Sequence, residues 1–324
     1  MMRMTVEMQA YGAPEVLRAV ERPDEAPGEG EVVVRTAVAG VNRSDLMIRA
    51  GEWPQGGGFP YVPGLELAGT VERVGPGVTR FSVGDPVITM MQRLGGVWGT
   101  RPGGYQSHVK VPEATLAIVP SQLEVATAGH YGLPAVTALM ALEALAVRAG
   151  ERVLVHGASS AVGQMAIQLC ALHGAHVIGT GTRAEKFELM RRSGARETVL
   201  TREKGWSKGL APVHKVFDLV GSATFRESVE LMLPRGRLVF VGGVTGGEVT
   251  FGAWALMEPI VLTGYSSENL SREQLQWAID GIGSLHAEGK LRLHAVSEFP
   301  LARAADAHRE LESGRVQGRV VLVP

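Results

Sequence analysis

The chain has 324 residues, 45% of them hydrophobic, with 42 glycines, enough for about two domains of roughly 150 residues each and too apolar for a disordered chain. Lys and Arg (32) balance Asp and Glu (33) to a formal charge of -1 without long blocks of one sign, which leaves no electrostatic footprint for nucleic acid or an anionic membrane surface. A single cysteine, Cys170, excludes an intrachain disulfide and a structural four-cysteine zinc lobe. It lies in the apolar run Met165 to Leu172, where a buried, inert thiol is the favoured reading. The N-terminal Met-Met-Arg-Met-Thr-Val-Glu-Met has no apolar core of signal-peptide length. No apolar run is expected to approach the ~20 residues of a membrane span, so a cytoplasmic protein is expected.

From residue 1 to about 121 the pattern is short alternating apolar runs separated by Gly and Pro, among them Glu31 to Val38, Leu67 to Gly75, Asp85 to Met90 and Ser107 to Val111. Many short strands with frequent turn residues suggest an antiparallel barrel or sandwich. Over 122–267 the texture becomes Ala- and Leu-rich helical stretches alternating with continuous apolar runs: Arg152 to His156, Ala175 to Thr180, Val213 to Val220 and Gly236 to Gly242. That alternation is what a parallel sheet covered on both faces requires. From 268 onward come a helix from Ser271, a strand-like Leu291 to Val296, a helix through Ala304 to Glu312 and a last strand from Gly318. They are too few to fold alone and are expected to complete the first domain. The fold class is therefore α/β, with one domain of 1–121 plus 268–324 and a nucleotide-binding domain of 122–267. There is no internal repeat, low-complexity tract or flexible linker.

The segment Arg152 to Gln164 reads as strand, tight turn of small residues and helix, the context in which a Gly-rich loop presents free N–H groups and a helix dipole to phosphate. Against G-x-G-x-x-G the aligned residues are Ala158, Ser160 and Gly163; only the last glycine survives, and an ordinary βα turn is the competing explanation. The second strand ends at Gly181, where NAD-binding chains usually carry an acidic residue for the ribose hydroxyls. Thr182, Arg183 and Lys186 follow. Glycine leaves room for an additional phosphate, and two cations with a hydroxyl can pair with a dianion, so NADPH is preferred over NADH. Taken singly, Arg183 or Lys186 is also compatible with a solvated helix start.

Five stretches carry a resemblance that runs essentially end to end. They are Gly40 to Leu46 with Arg49 to Pro54, Pro60 to Val71, Gly150 to Gly163, Phe217 to Gly221, and Phe299 to Gly314 with Gly318 to Leu322. The chain resembles the zinc-free branch of the medium-chain dehydrogenase/reductase superfamily, most closely the zeta-crystallin-like NADPH:quinone oxidoreductases. The resemblance implies a GroES-like β-barrel domain split around a Rossmann domain, a doubly wound parallel sheet, with the active site in the cleft. Relative to the zinc alcohol dehydrogenases, Asn42, Leu65 and Leu133 occupy the positions of the three zinc ligands. Leucine has no donor and a neutral amide is a poor one, so no catalytic zinc is expected.

Roles implied by the resemblance follow residue by residue. Asn42 and Thr137 lie near the nicotinamide; Ser160, Ala161, Val162 and Gly163 line the pyrophosphate, with the Ser160 hydroxyl a candidate donor to it. Gly181, Thr182, Arg183 and Lys186 surround the 2′-phosphate. Gly242 and Gly243 follow a strand toward the cofactor, and Arg319 reaches it from the C-terminal end. Without a metal to polarise a carbonyl, the easy reaction is hydride donation to an electron-poor acceptor such as a quinone or conjugated enone. Asn42 is the candidate donor to the developing oxyanion, and Ser44, Tyr105 or water the proton source. Trp53 and Trp98 sit in glycine-rich segments expected to line the substrate cleft. For Asp45 and Glu66 a structural role is as plausible as a catalytic one. Departures from the family pattern are Ser160 and Ala161 in place of loop glycines, Thr201 in place of a tyrosine, and Trp53, which cannot act as the acid of enoyl-thioester reductases. An enoyl or alkenal reductase, or a non-catalytic crystallin-like NADPH-binding protein, are the alternatives. A homodimer is expected, with the strand-like Pro259 to Gly264 pairing across a two-fold axis.

Overall fold

A computed structural model describes residues 2–53, 58–91, 101–245 and 248–324. From the N terminus the chain forms β1 (Met2–Glu7), β2 (Arg18–Pro23), β3 (Glu31–Val41), α1 (Arg43–Ala50), β4 (Glu66–Val74), β5 (Pro86–Met90), β6 (His108–Pro112) and β7 (Ala117–Ile118). Helix α2 (Val125–Leu145) leads to β8 (Arg152–Val155), α3 (Ala161–Leu172), β9 (His176–Gly181), α4 (Phe187–Arg192), β10 (Glu197–Leu200), β11 (Val213–Asp218), α5 (Ser222–Glu230), β12 (Met232–Phe240) and β13 (Val261–Gly264). The chain closes with α6 (Arg272–Ala287), β14 (Val296–Pro300), α7 (Ala304–Glu312) and β15 (Arg319–Val323). The strand-like Leu291 to Val296 thus yields a strand only from Val296 onward.

Two compact units result, one of Met1–Leu133 with Ser267–Pro324 and one of Pro134–Ser266. The first break falls inside α2, beyond the change of sequence texture at 121, because Gly132 takes a non-helical φ of 38° and ψ of -142° and Pro134 follows.

In the first unit, among the described residues, the sheet runs β14-β15-β3-β4-β5-β7 with β6 also on β3. Its pairings are antiparallel except β14 with β15. Strand β3 is central, and Val32, Val33, Val34 and Val38 are buried along it. The last strand of the chain lies against it in the register Val320 to Val41, Val321 to Gly40 and Leu322 to Ala39. That register brings residue 319 to the start of α1.

The second unit holds a parallel sheet in the order β10-β9-β8-β11-β12-β13. In sequence terms this is 3-2-1-4-5-6, the order of dinucleotide-binding doubly wound sheets, whose direction of winding reverses between the first and fourth strands. Continuous burial of Val153 to Val155, Val177 to Thr180 and Val216 to Asp218 reflects the helical cover on both faces.

Helix α2 corrects one expectation: at 21 residues it is long and apolar enough to cross a membrane by length and composition. It is mostly buried within the fold and broken at Gly132, as fits the core helix of a folded domain. Cys170 in α3 is buried, and burial pushes its thiol up to about 12, which keeps it protonated and inert.

Candidate active site

The end of β3, the first turn of α1, the first residue of β4, the kink of α2 and the first residue of β15 converge on one buried polar cluster in the first unit. Glu66 and Arg319 form an ion pair there. Arg319 Nη1 also donates to the Asn42 Oδ1 at 3.0 Å and to the Val41 carbonyl at 3.1 Å. Asn42 Nδ2 donates to Glu66 Oε1 at 2.7 Å, and the Leu133 N–H donates to Glu66 Oε2 at 2.6 Å. Both oxygens of Glu66 are thereby engaged, and the Asn42 amide is oriented from both ends, with one of its two amide protons used on Glu66. Two glycines make room. A Cβ on Gly40 would overlap the Arg319 guanidinium and the Glu66 carboxylate, and one on Gly132, at φ +38°, would overlap Glu66 Oε2.

Asn42 is also the N-cap of α1, where Asp45 Oδ2 accepts its backbone N–H at 2.8 Å, a stabilising arrangement for a helix start. Asp45 is fully buried. Burial pushes its carboxyl up to about 7, the Asn42 N–H opposes this, and the nearby Glu66 charge adds to it. Ser44 is partly exposed in the same first turn, and Trp53 is partly exposed just beyond the left-handed C-cap Gly51 (φ 80°), its N–H bonded to the Met47 carbonyl at 3.2 Å. Trp98 lies outside the described residues.

One sequence-based role needs correction. Tyr105 is completely buried, its hydroxyl 3.0 Å from His308 Nε2. Burial drives the phenol well above its usual range and the His308 imidazole down to about 3. A phenol sealed against a neutral imidazole is a packing and hydrogen-bonding element rather than a proton source at a solvent-filled site. Arg319, expected to reach a cofactor, holds Glu66, Asn42 and the Val41 carbonyl through Nη1 and Nη2.

In the second unit, the C-terminal end of β8 runs into the loop Gly157 to Ser160. Gly157 takes φ +65°, and the Ala158 N–H donates to the Thr180 carbonyl at 3.1 Å. Ser160 is the N-cap of α3, its hydroxyl oxygen accepting the Gly163 N–H at 3.0 Å. This leaves Ala161 and Val162 in a first turn whose N–H groups have no carbonyl one turn earlier. A Cβ on Gly163 would overlap the Gly157 carbonyl and crowd Ala158 at 2.7 Å, so that glycine sets the close packing of helix on strand. Gly181 ends β9; a Cβ there would meet the Met190 Cε at 2.8 Å. Thr182 is exposed, and Arg183 and Lys186 are half-buried. Burial and the Arg183 charge both push the Lys186 amine down, partly offset by Glu185, so two like charges share this corner. Gly242 and Gly243 follow β12, and Thr137 is buried in the second half of α2.

Two residues here carried no separate sequence signal. His156, immediately before Gly157, is fully buried with Nδ1 2.7 Å from Thr180 Oγ1 and Nε2 2.7 Å from Ser228 Oγ. Burial holds it neutral, down to about 3, and it ties β8 to β9 and α5 beneath the loop. Asp218, at the end of β11, accepts the Val220 and Gly221 N–H groups at 2.8 and 3.0 Å. Its carboxyl is pushed up to about 6 by burial.

Family models match residues 28–121 as an alcohol dehydrogenase GroES-like domain and residues 193–322 as a zinc-binding dehydrogenase. A quinone oxidoreductase of Pseudomonas aeruginosa is 33% identical over the full length of both chains. The chain belongs to the quinone oxidoreductase family of the medium-chain dehydrogenase/reductase superfamily. Quinone oxidoreductase 1 of Escherichia coli is 30% identical, again over the full length of both chains. The crystal structure of Escherichia coli quinone oxidoreductase complexed with NADPH superposes with a TM-score of 0.88 at 30% identity, covering 99% of this chain and all of the other. Membership makes the chain an oxidoreductase with a GroES-like domain split around a Rossmann domain.

The zinc in one matched family's description does not suit the residues at hand. At the three corresponding positions stand the Asn42 amide, already committed to Glu66 and Arg319, and two buried leucines, Leu65 and Leu133. Among the described residues there is no group of three His, Cys, Asp or Glu side chains that could hold a metal ion.

Proposed function

We propose that this oxidoreductase is a zinc-independent, cytoplasmic NADPH:quinone reductase. The observation that carries the reading is the donor set at Asn42, Leu65 and Leu133. With an amide and two hydrocarbon side chains in place of three ligands, the protein has no Lewis acid to activate an alcohol or simple ketone, which favours an acceptor already electron-poor. The names of the relatives and the NADPH complex of the Escherichia coli enzyme support the same choice.

The residues present fit NADPH. Gly163 keeps the first turn of α3 close to the strand, and the Ala161 and Val162 N–H groups with the Ser160 hydroxyl proton suit a pyrophosphate. Gly181 leaves space for the adenosine ribose, and Arg183 and Lys186, with Thr182, pair with the 2′-phosphate, relieving their mutual repulsion. Thr137, Gly242 and Gly243 are assigned to the remaining cofactor contacts. When bound, NADPH supplies a hydride, which together with one proton converts a quinone to a hydroquinone. Asn42 directs its second amide proton at the acceptor oxygen as charge develops there. Arg319 and Glu66 act by holding that amide in one orientation. Ser44 or water delivers the proton, and Trp53 packs against the flat acceptor.

A homodimer is part of the reading. Strand β13 is an edge of the parallel sheet, and the turn that precedes it in the chain exposes Trp254 and Met257 at 83% and 76%, apolar residues of the kind that pack across a two-fold axis. Sedimentation of the protein should give a dimer, and Trp254→Glu a monomer.

The deciding assay follows loss of NADPH and of NADH with phenanthrenequinone in one reaction and an unsaturated aldehyde or enoyl thioester in another. The reading expects rapid, NADPH-selective turnover with the quinone. Turnover with the alkene alone would move the protein to the double-bond reductases, and none with either despite NADPH binding would make it a non-catalytic nucleotide-binding protein.

A further inference from the structure

The N-terminal edge of the parallel sheet, opposite the edge that carries Gly157 and Gly163, holds a surface cavity of about 350 Å3. Its charged and polar lining comes from Arg148 and Glu151 before β8, His214 and Lys215 at the start of β11, and Arg235 and Arg237 in β12. Four cations thus face one carboxylate. That carboxylate is divided: Glu151 Oε1 lies 3.7 Å from the buried Lys215 Nζ, while Oε2 accepts the Arg148 N–H at 2.8 Å. Among the described residues none of the three arginines has a carboxylate at ion-pair distance. Arg237 is oriented by a bond from Nη1 to the Ala144 carbonyl at 2.9 Å. His214 Nδ1 accepts the Arg152 N–H at 3.1 Å, so the neutral ring carries its proton on Nε2, one more donor.

Backbone strain gathers at the same place. Of the described non-glycine residues with positive φ, namely Met91, Ala146 and Arg235, the last two line this cavity, at φ 51° and 65°. Glycine would take the conformation of residue 235 at lower cost; an arginine there holds a guanidinium at the cavity instead. Burial, and after it the charges of Arg237 and Arg148, push the Lys215 amine down against the pull of Glu151.

We propose that this cavity is an anion site, separate from the dinucleotide loop, that takes a small polyanion of the phosphate class. Open α/β sheets bind their nucleotides at the C-terminal strand ends, so the coenzyme does not account for a cluster at the other edge. The volume suits a small phosphorylated molecule, and three guanidinium forks suit phosphate oxygens better than a single charge.

Titration calorimetry of the full-length protein with inorganic pyrophosphate, its dinucleotide loop first filled with saturating NADPH and in about 0.15 M salt to screen loose surface association, tests it. Wild type and an Arg183→Ala/Lys186→Ala variant should both bind, because the site is not the 2′-phosphate corner. Arg235→Gly should bind at least about tenfold more weakly while its melting temperature is kept or raised, since glycine accepts φ near +65°. Arg148→Ala should show a similar loss. Absence of binding by wild type, binding that Arg183→Ala/Lys186→Ala abolishes, or full binding by Arg235→Gly and Arg148→Ala would each overturn the proposal.

Discussion

Arg319 and Glu66 stand 253 residues apart in sequence and form an ion pair whose side chains are only 3% and 2% exposed. Burying two charges costs several kcal/mol each, offset here because Glu66 also accepts from Asn42 and Leu133, and Arg319 also donates to Asn42 and the Val41 carbonyl. Removing one partner strands the other. Arg319→Met alone should lower unfolding stability by about 3–5 kcal/mol in urea titrations. Adding Glu66→Gln removes the stranded charge and keeps one carbonyl oxygen, which can accept from either Asn42 or Leu133 but not both, so the double variant should recover part of the loss. Equal losses in the single and double variants would mean that the pair is not coupled.

Asp45 gives stability a pH dependence of definite sign. In the folded protein its carboxyl is raised from 3.8 to about 7, whereas in the unfolded chain it titrates near about 3.9. The folded state therefore holds the proton more tightly. Its contribution is fully present below about pH 4 and is lost as the pH rises through about 7. Asn at this position cannot titrate and still offers an oxygen to the Asn42 N–H. The stability of wild type relative to Asp45→Asn should thus fall by about 2–3 kcal/mol between about pH 5 and pH 8; a constant difference would contradict the assignment.

Tyr105→Phe separates packing from catalysis. Deleting the hydroxyl leaves His308 Nε2 buried without its partner, at a cost of about 1–3 kcal/mol in stability. Quinone turnover at saturating NADPH should stay within about twofold of wild type. A loss of about a hundredfold, the size typical of a general acid, would return Tyr105 to the reaction.

Coenzyme choice should turn on Gly181 and Arg183. Among the described residues, a Cβ on Gly181 meets the flexible Met190 Cε alone, apart from its chain neighbours, so Gly181→Asp is sterically accessible. It places a carboxylate where it accepts from ribose hydroxyls and repels a 2′-phosphate. The ratio of kcat/KM for NADPH over NADH should drop by at least about tenfold in Gly181→Asp and in Arg183→Ala. An unchanged ratio in both would place the 2′-phosphate elsewhere.

Local chemistry makes much of this legible in the sequence. The buried strands around Leu154, Ile178, Val216 and Val239, the turn at Ser160 and the close approach at Gly163 all leave signatures within a few residues, because periodicity and turn conformation are short-range properties. The last strand, in the run from Gly318, is legible for the same reason. The apolar length of α2 is harder to see, because Gly132 and Pro134 interrupt its pattern.

Pairings across the chain were decided only by the tertiary structure. That Arg319 meets Glu66 depends on the register of β15 on β3, and one residue of slip would turn that side chain to the other face of the sheet. Tyr105 reads as a candidate acid until the fold seals it against His308, and His156 reads as a strand residue until Thr180 and Ser228 close around it. Residue types and their spacing are written in the chain. Burial and hydrogen-bond partners, which set what a titratable group can do, exist only after distant segments have packed together.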